Sequence, residues 1–279
     1  ITIALGKAAP AMLEGASICL GDMIRRGVCV TKHIDQAGRS VTGVEYIKGD
    51  HPVPGKGSLL GGRAIQASLT GLNEQDVVLL LLSGGGSALA TLPVDGVSLA
   101  DMQQMTGVLL RAGVTITELN TVRKHLDRIK GGGLLRMAAP ARVIALVLSD
   151  VVGNPLDVIA SGPAYPDETT FAEALEIINR AKKFEQIPEA IFQHLLQGAS
   201  AVIPETVKPG DALASYARNV IIGSNIDSCR AAVTKAHEFG FHAEIVTDHL
   251  IGEARDAGAY LARVARENEI VQKPWMLVF

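Results

Sequence analysis

Short, nearly uninterrupted apolar runs alternate along the chain with longer segments whose apolar residues recur every three to four positions. The runs fall at about 1–5, 28–32, 43–48, 77–82, 142–148, 219–223, 242–247 and 275–279 and read as strands. Val77 to Leu82 and Val143 to Leu148 are apolar throughout, the pattern of strands covered on both faces. Helix-period segments fall at about 10–26, 56–71, 98–112, 115–129, 170–182, 188–197, 226–239 and 252–268. Strand alternating with helix in this way predicts an α/β fold, a parallel sheet with helices on both faces.

The alternation pauses once, at the turn-rich stretch Pro204-Glu205-Thr206-Val207-Lys208-Pro209-Gly210, and then resumes. Two lobes are expected, 1–210 and a smaller one over 211–279. The chain opens inside the strand-like Ile1-Thr2-Ile3-Ala4-Leu5 and stops inside Trp275-Met276-Leu277-Val278-Phe279. Domain ends favour mobile surface segments, so the expectation is part of a longer protein, with the second lobe cut short and catalytically silent as it stands.

Composition narrows the class. Apolar residues make up 48% of the 279 positions and aromatics only 4%, so the core must be built from Val, Ile, Leu and Ala. A net charge of −3 gives no electrostatic reason to expect nucleic acid. Three scattered cysteines, Cys19, Cys29 and Cys229, suit reduced thiols in a cytoplasmic setting better than a disulfide framework. No apolar stretch approaches the roughly 18 residues of a membrane span.

The candidate chemistry lies where apolar runs end. After Leu82 comes Ser83-Gly84-Gly85-Gly86-Ser87, and residues without a Cβ let backbone N–H groups approach an anion, with a helix expected from Ser87 onward. The alternative is a tight strand-to-helix turn. Gly6-Lys7-Ala8-Ala9 follows the first strand, placing an ammonium at the mouth of the sheet where it could neutralise a phosphoryl oxygen. His51-Pro52-Val53-Pro54 is a rigid loop, and His51 is given no proton-transfer role. Asn120, Arg123, Lys124 and Asp127 share one face of a predicted helix that runs into the Gly131-Gly132-Gly133 loop, expected to be flexible and basic. Such a stripe could be a solvated face, but running into a glycine loop it suits anion binding, with Arg123 best able to grip a carboxylate or phosphate bidentately. Asp150 closes the run Val143 to Leu148 and could hold Mg²⁺, accept a proton from a substrate hydroxyl or cap a helix.

Missing signatures sharpen the reading. Neither a Walker-type Gly-x-x-x-x-Gly-Lys-Ser/Thr nor a Gly-x-Gly-x-x-Gly after a strand is present, and no His-Glu-x-x-His or Cys-x-x-Cys offers a zinc site. The ordered set Gly6-Lys7-Ala8-Ala9, His51-Pro52-Val53-Pro54, Leu82-Ser83-Gly84-Gly85-Gly86-Ser87-Ala88, Asn120-Thr121-Val122-Arg123-Lys124-His125, Ser149-Asp150-Val151 and Ile159-Ala160-Ser161-Gly162-Pro163 resembles the glycerate 2-kinase family with a MOFRL-type C-terminal domain. Bacterial members of that family have often carried the label hydroxypyruvate reductase. The resemblance implies a Rossmann-like N-terminal domain, ATP and Mg²⁺ as cofactors, and phosphorylation of D-glycerate to 2-phosphoglycerate. In that family the lysine of the first glycine-lysine motif is a proposed catalytic residue, here Lys7; the reading of the residues adds Asp150 as metal ligand or proton acceptor, and phosphate or substrate binding by Ser83, Gly84, Gly85, Gly86, Ser87, Asn120, Arg123 and Lys124. The partners implied are glycerate and a nucleotide, with neither nucleic acid nor membrane, and a homodimer is compatible with it. An arginine that the family uses in its C-terminal domain has no counterpart in this chain. Asn154 stands where the family commonly has aspartate and Ala164 where it has threonine, and Asn154 weakens the case for metal there. The competing readings are an NAD(P)H-dependent hydroxypyruvate reductase and a non-catalytic sugar-acid binding module.

Overall fold

A computed structural model describes residues 1–34, 40–182, 185–267 and 274–279. The strands are β1 (Thr2–Leu5), β2 (Gly27–Thr31), β3 (Val44–Lys48), β4 (Val77–Leu82), β5 (Arg142–Leu148), β6 (Ala217–Gly223), β7 (His242–Ile245) and β8 (Trp275–Val278). The helices are α1 (Ala9–Leu20), α2 (Lys56–Ser68), α3 (Gly86–Leu89), α4 (Leu99–Arg111), α5 (Ile116–Lys124), α6 (Gly133–Ala138), α7 (Phe171–Ala181), α8 (Glu189–Ala199), α9 (Asn225–Glu238) and α10 (Ala254–Glu267). Each predicted strand and long helix is present, although position 268 of the expected last helix lies outside the described residues.

Three helix starts follow from local sequence alone. At α4, α5 and α7 a Ser or Thr accepts the N–H three residues on while an acidic side chain reaches back, in the pairs Ser98/Asp101, Thr115/Glu118 and Thr170/Glu173. Two helix ends differ from expectation. Gly21, at φ 51°, ends α1 at Leu20 rather than near 26. The segment expected to be helical to 129 leaves the helix after Lys124, because the Arg128 N–H goes to Leu92 O and the Ile129 N–H to the Asp127 carboxylate. Asp127 therefore does not share a helix face with Asn120 and Arg123.

The chain forms two compact units, Ile1–Leu148 with Leu156–Val220, and Ser149–Pro155 with Ile221–Phe279. The division falls inside β6, beyond the linker at 204–210, and adds the loop after β5 to the smaller unit. The six-stranded sheet has the order β3-β2-β1-β4-β5-β6, and the pairs from β3 through β5 are parallel. Its core packs Ala9 and Leu13 of α1 on Ala4, Cys29 and Leu81. A second core in the same unit joins Met105, Leu109, Val122, Ile178, Ile191 and Leu195 from the helices with Leu126, just beyond α5. In the smaller unit β7 and β8 pair in parallel and α9 packs on both. No helix is long and apolar enough to cross a membrane.

In this order the chain leaves β1 toward β2 on one side and later returns to β4 on the other. The crevice between the carboxyl ends of β1 and β4 is the topological switch point, where open α/β sheets bind ligands.

The end of α8 carries a residue the geometry disfavours. Ala201 sits at φ 58°, with its N–H on Gly198 O and the Val202 N–H on Gln197 O, a helix-ending turn that glycine occupies without strain. Ala201→Gly is expected to raise unfolding stability by up to about 1 kcal/mol, measured by urea titration; lower stability would show that the backbone there is unstrained.

Candidate active site

The turns after β1 and β4 interlock. Gly6 holds φ 134°, and a Cβ on it would lie 2.2 Å from Ser83 Oγ and 2.5 Å from Ser83 O, so only glycine fits. The Lys7 N–H donates to Gly84 O at 2.9 Å, the Ala8 N–H to Ser83 Oγ at 3.0 Å and the Ser83 N–H to Leu5 O at 3.0 Å. Ser83 is thereby buried within the turn, its hydroxyl engaged at the start of α1. Gly84 is half-buried with its carbonyl engaged, and Gly86 is buried against Leu5 and Ala160.

Gly85 and Ser87 face outward from this knot. Gly85 is left-handed at φ 85°, and the space above its Cα is walled by Lys7 Cε and His51 Cδ2, each 3.2 Å from where a Cβ would stand. Lys7 is exposed and His51 half-buried. Partial burial, then the positive charges of Lys7 and Lys32, hold the His51 imidazole below its usual pKa. Asp50 fixes this loop by accepting the Gly57 and Ser58 N–H groups at the start of α2. Lys7, Lys32, His51 and Gly85 thus follow β1, β2, β3 and β4 and gather at one edge of the sheet. Lys32 was legible by the same rule that singles out Lys7, except that the apolar run of β2 reads as extending through it.

The Ser87 hydroxyl lies 2.8 Å from Ser161 Oγ, which is 3.5 Å from Asn120 Oδ1. Ser161 belongs to three consecutive left-handed residues, Ala160, Ser161 and Gly162, at φ 51°, 62° and 61°. Two of them are not glycine, a strain of the kind retained at functional sites. Carbonyls of this turn receive the Gly131 and Gly132 N–H groups, so the glycine loop expected to be flexible and basic is a packed internal turn. Because α3 is a single turn, the helix expected after Ser87 adds little dipole.

Beyond Ser87 lies a cavity of about 10 Å³, enough for about one water, with Arg123 and Lys130 in its wall. The Gln103 amide donates to Pro54 O at 2.7 Å and closes one side. Burial is the larger influence on the Arg123 guanidinium and pulls its pKa below the usual value, against the opposing effect of Asp127. Lys124 points elsewhere. It is buried with Asp167 at 3.2 Å and Asp157 at 3.3 Å, so its charge is spent inside the protein. Asp150, in the smaller unit, is exposed, and among the described residues no three His, Cys, Asp or Glu are placed to share a metal ion. A cavity of about 590 Å³ opens at the amino ends of β2 and β3 near Arg25 and Gly43, away from this chemistry.

A family profile described as "Domain of unknown function (DUF4147)" matches residues 1–196. D-glycerate 2-kinase of Thermotoga maritima is 41% identical over 100% of this chain and 64% of its own length, and glycerate 2-kinase of Pyrococcus horikoshii is 38% identical over 99% and 62%. A relative in Agrobacterium vitis, 37% identical over 95% of this chain and 58% of its own length, carries a provisional label of hydroxypyruvate reductase. The crystal structure of the T. maritima glycerate kinase superposes with a TM-score of 0.84, covering 99% of this chain and 64% of that one. The chain thus spans less than two thirds of these relatives.

The buried Asp167 network makes an acid-sensitive element. Burial raises the pKa of Asp167, but the Lys124 charge, the Thr169 hydrogen bonds and His125 outweigh it and hold the carboxyl below its usual value. A depressed folded pKa contributes stability that is present above the unfolded value of about 3.9 and is lost as pH falls through the folded one. Asp167→Asn is expected to cost up to about 3–5 kcal/mol at pH 7, because it leaves the buried Lys124 with only the part-exposed Asp157. Urea titrations of both proteins should show that difference narrowing only below about pH 4. A difference that stays constant into strong acid would assign the loss to packing instead.

Proposed function

Because the chain belongs to the DUF4147 family, we propose that it forms the N-terminal part of an ATP-dependent glycerate 2-kinase that phosphorylates D-glycerate at its 2-hydroxyl. One observation carries this reading. A D-glycerate 2-kinase aligns with every part of this chain at 41% identity, and the switch-point crevice it shares is lined here by Lys7 and Gly85.

In such a transfer the glycerate hydroxyl oxygen bonds to the γ-phosphorus, the bond to the β,γ-bridging oxygen breaks, ADP leaves and the hydroxyl proton passes to a base. Protein groups chiefly position the reactants and neutralise charge on the transferring oxygens. Lys7 is exposed at the crevice, and its ammonium meets charge developing on the phosphoryl group. Gly85, by lacking a side chain, leaves room for the ligand beside Lys7 and His51. Ser87, held by Ser161, which donates in turn to Asn120, offers a hydroxyl between that space and Arg123, and Arg123 grips an anionic group such as the glycerate carboxylate. Ser83, Gly84, Gly86 and Lys124 support the site through the backbone and buried ion pairs described above.

Asp150 accepts the hydroxyl proton or contributes to a Mg²⁺ site. Its carboxylate is exposed, with no ion pair to another described residue, and a single carboxylate suits a Mg²⁺ ion whose other ligands are waters and phosphate oxygens. Bound there, Mg²⁺ would supply charge neutralisation for the nucleotide phosphates.

The hydroxypyruvate reductase label of some relatives deserves a direct test, because the 3-2-1-4-5-6 strand order is also that of dinucleotide-binding domains. The turn after β1, however, reads Gly6-Lys7-Ala8-Ala9 and lacks the further glycines of the pyrophosphate fingerprint. The natural protein carrying this chain should release ADP from ATP with D-glycerate; NADH oxidation with hydroxypyruvate and no ADP release would replace the kinase reading with the reductase one.

Two substitutions test the assigned residues in that protein. Lys7→Met is expected to lower turnover by at least about a hundredfold with the fold intact by circular dichroism, the usual loss for one preorganised charge. Near-native turnover would take Lys7 out of the mechanism. Gly85→Val fills the space beside Lys7 and His51 and strains a left-handed residue, so it should abolish ligand binding by calorimetry, whereas Ser87→Ala should weaken it less. Unchanged affinity in Gly85→Val would leave that residue a turn former only.

A further inference from the structure

Three ionised side chains meet near the small cavity beyond Ser87, and their charges do not cancel. Arg123 and Lys130 line the cavity and bring two positive charges, while Asp127 brings one negative charge. The Asp127 carboxylate is fully engaged without Arg123. Its Oδ2 accepts from Lys130 Nζ at 2.5 Å and from Thr91 Oγ1 at 2.6 Å, and its Oδ1 accepts the Ile129 N–H at 2.9 Å. Lys130 is 3% exposed and donates a second bond to Ala90 O at 3.2 Å. Arg123 lies close enough to feel both Asp127 and Lys130, yet forms no ion pair with any described residue.

We propose that Lys130 is a positioning residue for Arg123: by occupying the carboxylate of Asp127, it keeps the part-exposed guanidinium side chain unpaired and available to a ligand carboxylate. The inference rests on the reading of Arg123 as an anion-binding group. A buried carboxylate must be paired, and Arg123, whose planar fork matches a carboxylate, lies within electrostatic reach of Asp127. Remove the lysine and the guanidinium turns onto Asp127. The cavity then holds a neutral pair instead of a net positive charge, and an arriving carboxylate meets no free cation. Lys130 does this without touching the ligand, since Asp127 and Ala90 already hold its ammonium.

The test is calorimetric titration of D-glycerate into the natural protein and three variants. Lys130→Met should weaken binding by at least about tenfold, the scale of a lost buried charge contact. Lys130→Met/Asp127→Asn should bring affinity back to within threefold or so of native, because the asparagine still accepts the Ile129 N–H but has no charge to claim Arg123. A lysine that contacted the ligand would not be rescued in this way, and one that only stabilised the fold would lower the urea midpoint of Lys130→Met while leaving the affinity of its folded fraction native. A double variant as weak as the single one overturns the proposal, as does native affinity in Lys130→Met. Should Lys130→Met fail to fold, Lys130→Gln takes its place: a loss of about tenfold that Asp127→Asn restores supports the role, and native affinity in Lys130→Gln overturns it. Native affinity in Arg123→Leu overturns the anion-binding reading itself, a result separable from failure of the rescue.

Discussion

Everything near the switch point depends on how closely the turns after β1 and β4 approach. Ser83 gives its N–H to Leu5 and takes the Ala8 N–H on its hydroxyl, while Gly84 takes the Lys7 N–H, so three hydrogen bonds clamp two segments almost eighty residues apart. The clamp closes only because Gly6 has no side chain at the point where Ser83 passes. It fixes both the origin of the Lys7 side chain and the direction in which Gly85 and Ser87 emerge. Lys7 is therefore a group on a rigid mount, the condition under which one cation can act on a transferring phosphoryl group.

A second constraint operates on the other side of Ser87. Lys124, Lys130 and Arg123 lie within eight residues, and all three are largely or wholly buried. Two have committed acidic partners, Asp157 and Asp167 for Lys124 and Asp127 for Lys130, and Arg123 has none among the described residues. In a protein interior such an imbalance is costly unless a ligand completes it. The uncompensated positive charge beside a cavity is thus an electrostatic argument for an anion, independent of any motif.

Much of this was legible in the chain. Continuous apolar runs give β1, β4 and β5 because strands buried on both faces need no alternation, and the capping pairs mark three helix starts to the residue. Elements defined by distant partners were not legible. Val122, Leu126 and Ile129 keep a helical period beyond Lys124, yet the helix ends because Leu92 and Asp127 take the next N–H groups. Ser83 and Ser87 flank the same glycines and look equivalent, but only the packing of Gly6 shows that one faces inward. Arg123 and Lys124 are adjacent cations, and only Asp167, forty-three positions beyond Lys124, separates the paired one from the unpaired one. α3 and α6, four and six residues long and bordered by glycines, carry too little periodicity to be seen.

The strand order also bears on how the chain is made. β1 is central in the sheet, with β2 on one edge and β4 on the other, so it has its second partner only after residue 82 has been synthesised. Until then a half-sheet of β1, β2 and β3 would present an open, apolar edge at Ile3 and Leu5. Parallel pairings of this span are slow to close and leave such edges vulnerable to other chains. The same topology that puts Lys7 beside Gly85 thus leaves the central strand of the sheet half-paired until β4 is complete.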